Sequence, residues 1–269
     1  MTGFLDKIIS EICKEEGIKY KNISRGYITI LEKDGKISFL NRFQMGLNSQ
    51  VSGLIADDKF AMYEVLRFFK IPVIEQDLIW DRNNKKCKKQ IEEKIKELNN
   101  YFEKNNNHIV LKPNTGYGGQ KVFNIKEEKE IKKALKELLN YTNSIIVSPF
   151  YNIKSEHRLI MLNGECRLAF TKVLPTNGWQ FNLSKGCTAI KITDENLKTK
   201  LLELAKKACS AIDAKFVSVD IVEDFKGNLF VLEINSRVVM KRYLENNKED
   251  YELVKSIYKD AIKANMSGN

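Results

Sequence analysis

The stretch that decides the fold is FVSVDIVEDFKGNLFVLEINS, residues Phe216–Ser236, which has the pattern of two β-strands joined by a turn at Lys226-Gly227. Side chains alternate between the two faces of a strand, so each strand is expected to bury every second residue. The expected core face consists of six apolar residues: Val217, Val219, Ile221, Phe230, Leu232 and Ile234. The hairpin is therefore predicted to lie against a hydrophobic core on one side.

The opposite face of this hairpin is polar. With the turn centred at Lys226-Gly227, the pairing sets Asp220 directly against Glu233, and Ser218 and Asn235 lie beside them. Two like charges directly opposite each other destabilise a sheet, so a cation is expected between the carboxylates. Carboxylates with an amide oxygen suit Mg²⁺, which usually completes its coordination with water and nucleotide phosphates. The alternative interpretation is a solvated outer face whose acidic residues hold no ligand.

The composition is that of an ordinary globular protein, and 269 residues suffice for one large or two smaller domains. No secretory signal follows Met1, and no apolar run is long enough to cross a bilayer. The five cysteines are scattered and odd in number, which is typical of reduced thiols and predicts a cytoplasmic protein. The net charge of +10 invites a nucleic-acid partner, but much of the excess lies in basic runs typical of solvated helix faces, without interleaved aromatic residues. ATP or an acidic small substrate would benefit from the same positive field.

Helices and strands follow each other with several hairpins, which predicts an α+β fold rather than a doubly wound parallel sheet. The helical patterns cover residues 4–16, 58–69, 126–140, 196–212 and 251–264, and a further helix ends at 105–107. Besides the hairpin, the strand patterns cover residues 27–31, 36–40, 73–74, 108–112, 121–125, 145–148, 158–162 and 166–173. Residues 81–89 are polar and basic and are predicted to form a loop or the start of a helix.

A lysine and a glycine-rich loop follow a strand in HIVLKPNTGYGGQKVF, residues 108–123. The loop returns into a strand instead of opening a helix, which excludes the P-loop and the dinucleotide-binding fingerprint. Gly116, Gly118 and Gly119 allow successive backbone amides to surround a phosphate, and Lys112 supplies a point charge. A flexible hairpin tip is the alternative. Because Mg²⁺ and triphosphate need each other, the loop and the acidic hairpin together predict a nucleotide site.

The order of these motifs resembles that of the ATP-grasp superfamily over residues 48–235, particularly its carboxylate–amine ligases. These are the RimK-type glutamate ligases, glutathione synthetase, cyanophycin synthetase and D-alanine–D-alanine ligase. VLKPNTGYGG resembles the family's lysine and glycine-loop pattern, VDIV with VLEINS resembles its magnesium signature, and residues 48–74 resemble its opening segment. The resemblance implies an ATP-grasp fold, in which two α+β subdomains clamp ATP.

The domain organisation that follows has a short N-terminal α/β segment, residues 1–56, and an ATP-grasp domain, residues 57–269. The two subdomains are predicted at about residues 84–150 and 151–265. Relatives often have a fuller domain before the ATP-grasp fold. The short segment of this chain therefore favours completion by a partner chain in a homodimer.

The resemblance also implies a role for individual residues, with SEHRLIML and FNLSKG as two further matching motifs. The residues expected to contact ATP are Lys59, Lys112, Gly116, Gly118, Gly119, Phe150, Tyr151 and Glu156. The residues expected to hold Mg²⁺ are Asp220, Glu233 and Asn235. The residues expected to act on phosphate and substrate are Arg158, Lys172, Asn182 and Lys185.

The activity that the resemblance implies is amide formation from a carboxylate and an amine, on amino acid or peptide substrates. ATP and Mg²⁺ are the implied cofactors, with two metal ions and Mn²⁺ as an acceptable substitute. The carboxylate attacks the γ-phosphate to give an acyl-phosphate and ADP, and the amine then displaces phosphate. The alternatives are a kinase-like ATP-grasp phosphotransferase and a non-catalytic module that binds ATP or nucleic acid.

Two departures from the family limit what the resemblance implies. Ser148 stands where the adenine hinge usually opens with Glu or Gln, which leaves backbone groups to hold the base. RVVMKRY follows EINS where relatives continue to proline and glycine, so their substrates do not carry over. Arg237, Lys241 and Arg242 in this segment either receive a substrate carboxylate or belong to the basic surface.

Overall fold

The computed structural model describes residues 2–82, 91–116, 118–176 and 178–268. The helices are α1 Thr2–Glu16, α2 Gln50–Asp57, α3 Lys59–Phe68, α4 Ile91–Lys104, α5 Glu128–Tyr141, α6 Glu195–Ala211, α7 Lys241–Asn246 and α8 Tyr251–Ser267. The strands are β1 Lys19–Ile23, β2 Ile28–Lys33, β3 Lys36–Asn41, β4 Asp77–Asp81, β5 Ile109–Pro113, β6 Phe123–Ile125, β7 Ser144–Pro149, β8 Ile153–Leu162, β9 Glu165–Val173, β10 Thr188–Lys191, β11 Phe216–Asp224 and β12 Leu229–Asn235. None of the helices in these ranges combines the length and apolar composition that a bilayer crossing requires.

Three antiparallel sheets organise the described residues, and they confirm the α+β prediction. The first sheet has the order β1-β2-β3, the second β4-β7-β5-β6, and the third β10-β9-β8-β11-β12. Helices α4 and α5 cover the second sheet, and their apolar residues form one core with it. Helix α6 packs on one face of the third sheet, while α1 and α8 lie over one end of its other face.

The central strands of the third sheet are buried on both faces at one end. Val217 and Val219 of β11 face α6, whereas Phe216 faces the core that α1 and α8 share. The face of Phe216 becomes polar further along the strand, because Ser218 and Asp220 follow it at alternate positions. One face of one sheet therefore passes from a hydrophobic core into a charged region.

The register of the β11–β12 hairpin agrees with the prediction at its polar positions. Asp220 pairs with Glu233, and Ser218 pairs with Asn235. The helices and strands expected at 4–16, 58–69, 126–140, 145–148, 158–162, 166–173, 196–212 and 251–264 are also present within a few residues.

The predicted core face of β12 is wrong for two residues. A β-bulge after Asp220 shifts the register by one residue, so Ile221 pairs with Val231. Val231 is fully buried, whereas Leu232 lines a cavity and Phe230 is half-buried. Strict alternation fails here because a bulge inserts one unpaired residue and turns the following side chains to the other face.

Two shorter segments also differ from the sequence interpretation. The strand expected at 73–74 is a single parallel bridge from Val73 to Val231, and the strand of this region is β4. Helix α2 was not expected as a separate element. It begins after Ser49, whose hydroxyl accepts a hydrogen bond from Ser52 N at 3.0 Å and caps the helix. Most of the segment predicted as a loop at 81–89 lies outside the described residues.

Candidate active site

A cavity of about 670 Å³ opens between the second and third sheets. Most of the predicted site residues line it: Lys59, Lys112, Gly116, Gly118, Gly119, Phe150, Tyr151, Glu156, Arg158, Lys172, Asn182, Glu233 and Asn235. The other two contact its walls. Asp220 lies beneath Arg158 and Lys172, and Lys185 donates from Nζ to the carbonyl oxygen of Gly119 at 3.0 Å.

A buried charge cluster forms the floor of the cavity on strands β8, β9 and β11. Asp220 is fully buried and accepts hydrogen bonds from Arg158 Nε at 2.7 Å and Arg158 Nη2 at 2.5 Å. Lys172 Nζ donates to Asp220 Oδ1 at 3.1 Å and to a carboxylate oxygen of Glu156. The strands hold these groups together because Asp220 pairs with Arg158, and Glu156 pairs with Lys172.

The cation that the sequence required beside Asp220 is therefore supplied by side chains of β8 and β9. Burial alone would raise the pKa of Asp220, but the charges of Arg158 and Lys172 outweigh it and hold the pKa well below its ordinary value. Asp220 is accordingly ionised at neutral pH. Burial raises the pKa of Glu156 to about 7, although the positive charge of Lys172 acts in the opposite direction and lowers it.

The residues predicted to hold Mg²⁺ have the chemistry that this ion requires. Glu233 and Asn235 both line the cavity, and Asn235 Nδ2 donates to Glu233 Oε1 at 3.1 Å. No three side chains of His, Cys, Asp or Glu in the described ranges are arranged to hold a metal ion. A third ligand would thus have to be an oxygen of another kind, and the amide oxygen of Asn235 is a suitable one for a hard cation.

Lys59 and Lys112 place two positive charges on the side of the cavity formed by α3 and β5. Lys112 is buried, and its burial together with the nearby charge of Lys59 lowers its pKa to about 8. Lys59 Nζ donates to the carbonyl oxygen of Gly116 at 2.9 Å, so it contacts the glycine-rich loop. Two lysine charges this close to each other are typical of a site that binds an anion.

Asn114, which sequence reasoning missed, fixes the glycine-rich loop to the start of α3. Its Oδ1 accepts from Phe60 N at 2.9 Å, and its Nδ2 donates to Asp58 Oδ2 at 2.8 Å. Asp58 in turn caps α3 by accepting from Ala61 N at 2.8 Å. The sequence feature that indicates this role of Asn114 is its position between Lys112-Pro113 and the glycine residues of the loop.

The glycine-rich loop touches the segment that carries Asn182 and Lys185. Gly116, Gly118 and Gly119 all have positive φ, a conformation that other residues rarely adopt. A Cβ atom at Gly119 would lie 3.1 Å from Asn182 Nδ2. The two predicted phosphate-binding segments are therefore in direct contact.

The predicted adenine hinge, Phe150 and Tyr151, lies at the end of β7. The Phe150 ring stacks on His108 with 3.8 Å between the centroids, and the Tyr151 hydroxyl accepts from Glu75 N at 3.4 Å. His157 points away from the cavity toward Ser155 and Thr171, as the alternation along β8 indicates. Burial lowers the pKa of His157 to about 4, so it is neutral at pH 7.

A second network, also missed from the sequence, holds the segment that follows β12. Asp57 accepts from Ser236 N at 3.0 Å and from Ser236 Oγ at 2.9 Å. Gln44 Nε2 donates to the same hydroxyl at 3.2 Å. Arg42 lies two residues before Gln44 and lines the cavity, and nothing in the sequence marked it.

A cavity between two antiparallel sheets, with two lysines, a glycine-rich loop and an acidic strand pair around it, defines the fold and the site of an ATP-grasp ligase. The chain belongs to the RimK-like ATP-grasp domain family, whose model matches residues 56–257. ATP and Mg²⁺ are the cofactors of this family.

Three similar proteins agree with this assignment. Tetrahydromethanopterin:alpha-L-glutamate ligase from Methanocaldococcus jannaschii is 27% identical over 260 residues, which cover 86% of this chain and 87% of that protein. Glutamate–LysW ligase ArgX from Sulfolobus acidocaldarius is 28% identical over 141 residues, and the match spans only about half of each protein, 51% and 49%. D-alanine–D-alanine ligase from Bacillus anthracis, solved with ATP, has a TM-score of 0.61 at 14% identity, covering 82% of this chain and 71% of that chain. At this identity the structural likeness shows the fold alone.

Proposed function

We propose that the protein joins a carboxylate to an amine at the expense of ATP through an acyl-phosphate. The observation that carries the proposal is the charge cluster of Asp220, Arg158, Lys172 and Glu156, which shares one cavity with Lys59 and Lys112. Both sides of the cavity thus offer cations to the phosphates of one nucleotide, and the acidic strand pair offers oxygen ligands to a metal ion.

The chain's own residues would act mainly by positioning the substrates and by balancing charge. The glycine-rich loop, Lys59 and Lys112 would hold the phosphates, while Phe150 and Tyr151 would border the base. When bound, Mg²⁺ supplies charge neutralisation at the phosphate oxygens, and Asp220, Glu233 and Asn235 would hold it.

The chemical steps then follow from the position of the cations. The substrate carboxylate attacks the γ-phosphorus, ADP leaves, and an acyl-phosphate forms. The amine next attacks the acyl carbon, loses a proton and expels inorganic phosphate to give the amide. Arg158, Lys172, Asn182 and Lys185 would stabilise the negative charge that develops on the transferred phosphoryl group and on the acyl oxygen.

We propose an acidic amino acid such as glutamate as one substrate. The similar proteins from Methanocaldococcus jannaschii and Sulfolobus acidocaldarius are both named as glutamate ligases. Among the described residues, eight cationic and three acidic side chains line the cavity, an excess that favours anionic substrates.

The finer expectations from the sequence form part of the same proposal. These are two metal ions with Mn²⁺ as a substitute, a homodimer completed at residues 1–56, the domain boundary at residues 56–57 with subdomains at 84–150 and 151–265, and a cytoplasmic location. Cys13, Cys166, Cys187 and Cys209 are free thiols, as expected for a reduced environment, and Cys87 lies outside the described residues.

The experiment that tests the proposal measures ADP and phosphate release with Mg·ATP and a panel of amino acids, singly and in pairs. Product masses are read in parallel. We expect ADP formation that depends on a pair, with a product lighter by one water than the sum of the two. A phosphorylated single substrate would instead indicate the kinase-like alternative. ATP binding without turnover on any pair would contradict the proposal for amino acid substrates.

A further inference from the structure

In the part of the chain that the structure describes, four cationic residues line the cavity outside the set assigned to the nucleotide and the phosphoryl group. They are Arg42, Arg237, Lys241 and Arg242. Arg42 comes from the turn after β3, and the other three come from the segment after β12 and from α7. This end of the cavity is therefore basic without the help of the predicted ATP-binding lysines.

The two basic segments are tied together by hydrogen bonds. Gln44, in the turn that carries Arg42, donates to the Ser236 hydroxyl at 3.2 Å, and Asp57 fixes Ser236 through two further hydrogen bonds. Arg237 directly follows Ser236. The arginine from the N-terminal hairpin is thereby anchored beside the strand that carries the acidic residues of the metal site.

Arg42 differs from Lys241 and Arg242 in its partners. Arg242 and Lys241 pair with Glu245, at 2.6 Å and 4.0 Å, on the exposed side of α7. No carboxylate of the described residues lies within ion-pair distance of Arg42. Its guanidinium carbon instead lies 3.4 Å from the centroid of the Tyr27 ring, so the charge is held by stacking.

The backbone at Arg42 adds a second constraint. Asn41 and Gln44 exchange two backbone hydrogen bonds, at 3.1 Å and 3.0 Å, which closes a turn with Arg42 as its first central residue. Its φ of 53° lies in the left-handed region, where Gly, Asn or Asp is usual. The turn holds the backbone of Arg42 and the Tyr27 ring holds its guanidinium, while Arg42 lines the cavity.

We propose that Arg42 binds a second, non-reacting carboxylate of a substrate and thereby selects an acidic amino acid, or the acidic end of a larger molecule, over its amide. The inference rests on the proposed ligase function. Arginine suits this task because its planar fork donates two parallel hydrogen bonds to one carboxylate. Stacking on Tyr27 keeps the fork oriented before the ligand arrives, which lowers the entropy cost of binding.

The test compares acid and amide partners as ligands of the whole protein. L-glutamate against L-glutamine, and L-aspartate against L-asparagine, are titrated calorimetrically in the presence of Mg²⁺ and a non-hydrolysable ATP analogue. The variants are Arg42→Gln and Arg42→Lys, and Arg67→Gln is the matched control because Arg67 is an exposed arginine of α3 outside the cavity. The affinity of the ATP analogue is measured for every variant as the test of an intact fold.

We expect at least one acid to bind the wild type more tightly than its amide. Arg42→Gln should weaken that acid about 10- to 100-fold and leave the amide unchanged, because a charged hydrogen-bond pair is lost. Arg42→Lys should restore part of the affinity, and Arg67→Gln should match the wild type.

Three results would overturn the inference. The first is a wild type that binds no acid more tightly than its amide, and the second is an Arg42→Gln variant that binds acids as tightly as the wild type. The third is loss of binding of the ATP analogue in Arg42→Gln, which would indicate a structural role of Arg42. The same data distinguish failure of this inference from failure of the proposed function. If acids bind in a way that depends on Arg42 but no ADP forms, the ligase function is contradicted and the carboxylate-binding role of Arg42 is supported.

Binding to a peptide or carrier is distinguished by the same variants. ADP formation is measured with a glutamate-ended dipeptide and with the same dipeptide as its C-terminal amide. A preference for the free carboxylate that disappears in Arg42→Gln assigns the site to a larger acidic substrate. Activity with the free amino acid but not with the dipeptide assigns the site to a small acidic substrate.

Discussion

Arg158 and Asp220 lie opposite each other on neighbouring strands and form a two-point ion pair, with donor–acceptor distances of 2.7 and 2.5 Å. A buried carboxylate without a partner destabilises a protein strongly, and the strand register prevents that here. Lys172 Nζ adds a second cation at 3.1 Å from Asp220 Oδ1, so the chain's own side chains neutralise this carboxylate.

Metal removal should therefore leave the fold intact. We expect the melting temperature in EDTA to equal that in Mg²⁺ within about 2 °C when nucleotide is absent, because Arg158 and Lys172 already neutralise Asp220. Differential scanning calorimetry checks this, with Mg·ATP as the control that should raise the transition. A large drop in EDTA alone would show that the acidic hairpin needs a metal ion to fold.

Glu233→Gln should separate catalysis from stability. The change removes the charge of a residue of the proposed metal site from the cavity wall, and we expect kcat for ADP formation to fall on the order of 100-fold. Glu165→Gln is the control, because Glu165 is exposed on β9 outside the cavity. Circular dichroism establishes that both variants are folded, and retained turnover in a folded Glu233→Gln protein would remove the metal assignment.

The buried lysine of β5 should give the protein a specific pH dependence. Burial and the charge of Lys59 lower the pKa of Lys112 from 10.5 to about 8, so between these values the unfolded chain binds a proton that the folded chain lacks. Wild-type stability should rise through this window relative to Lys112→Met, because the variant has no such group. Across this pH window, we expect the unfolding free energy of the wild type to rise by on the order of 3 kcal/mol relative to that of Lys112→Met.

Urea unfolding of both proteins at several pH values between 7 and 10.5 measures this difference. Lys121→Met is the control, because Lys121 is half-exposed and paired with Glu137 at 2.9 Å. A difference that stays constant over the window would contradict the buried, destabilised charge at Lys112.

Gly119→Ala should weaken nucleotide binding. The new Cβ would lie 3.1 Å from Asn182 Nδ2 and would occupy a left-handed backbone position with a φ of +63°. We expect the dissociation constant for Mg·ATP to rise about tenfold or more as the loop moves away from Asn182. Gly164→Ala introduces a similar backbone strain in the β8–β9 turn, at a φ of +80°, with no neighbour within 4 Å. Equal dissociation constants for Mg·ATP in Gly119→Ala and Gly164→Ala would show that the loop does not hold the nucleotide.

Asn48→Ala should lower stability and leave nucleotide affinity unchanged. Asn48 bonds the backbone of the first residue of β11 in both directions, donating to Phe216 O at 2.7 Å and accepting from Phe216 N at 2.9 Å. Loss of this double contact should cost about 1–3 kcal/mol of unfolding free energy. Urea unfolding measures the cost against Asn196→Ala, an exposed asparagine of α6 that should change stability by less than about 0.5 kcal/mol. A cost no larger than that of the control would contradict this role of Asn48.

The sequence predicted those parts of the site whose geometry is local. The Asp220–Glu233 pairing follows from strand alternation and a short turn, and the glycine-rich loop follows from composition. The charges of Arg158 and Lys172 were also expected near phosphate. Their contact with Asp220 was not, because it depends on which strands become neighbours in the sheet.

The remaining differences have the same cause. The bulge after Asp220 leaves no mark in the hydrophobic pattern, so the side on which Leu232 lies could not be read from alternation. Asp57 and Arg42 reach the site through contacts far along the chain, such as the Asp57–Ser236 hydrogen bonds. Such contacts are set by tertiary packing, which local propensity does not contain.

The core beneath the charged cluster has a consequence for the way the protein is made. Helix α1 and helix α8 form one core with the third sheet, and Lys259 of α8 bonds Glu15 and Glu16 of α1 at 3.1 and 2.8 Å. Contacts of such long sequence separation slow folding, because a long loop must close first. On the ribosome, the strands of the second sheet and its helices α4 and α5 have all been synthesised by residue 149, whereas the third sheet needs α8 to complete its core. Until α8 emerges, Phe216 of β11 and its neighbours Ile160 and Phe170 lack the helix that covers them, so the nascent chain exposes part of its apolar core.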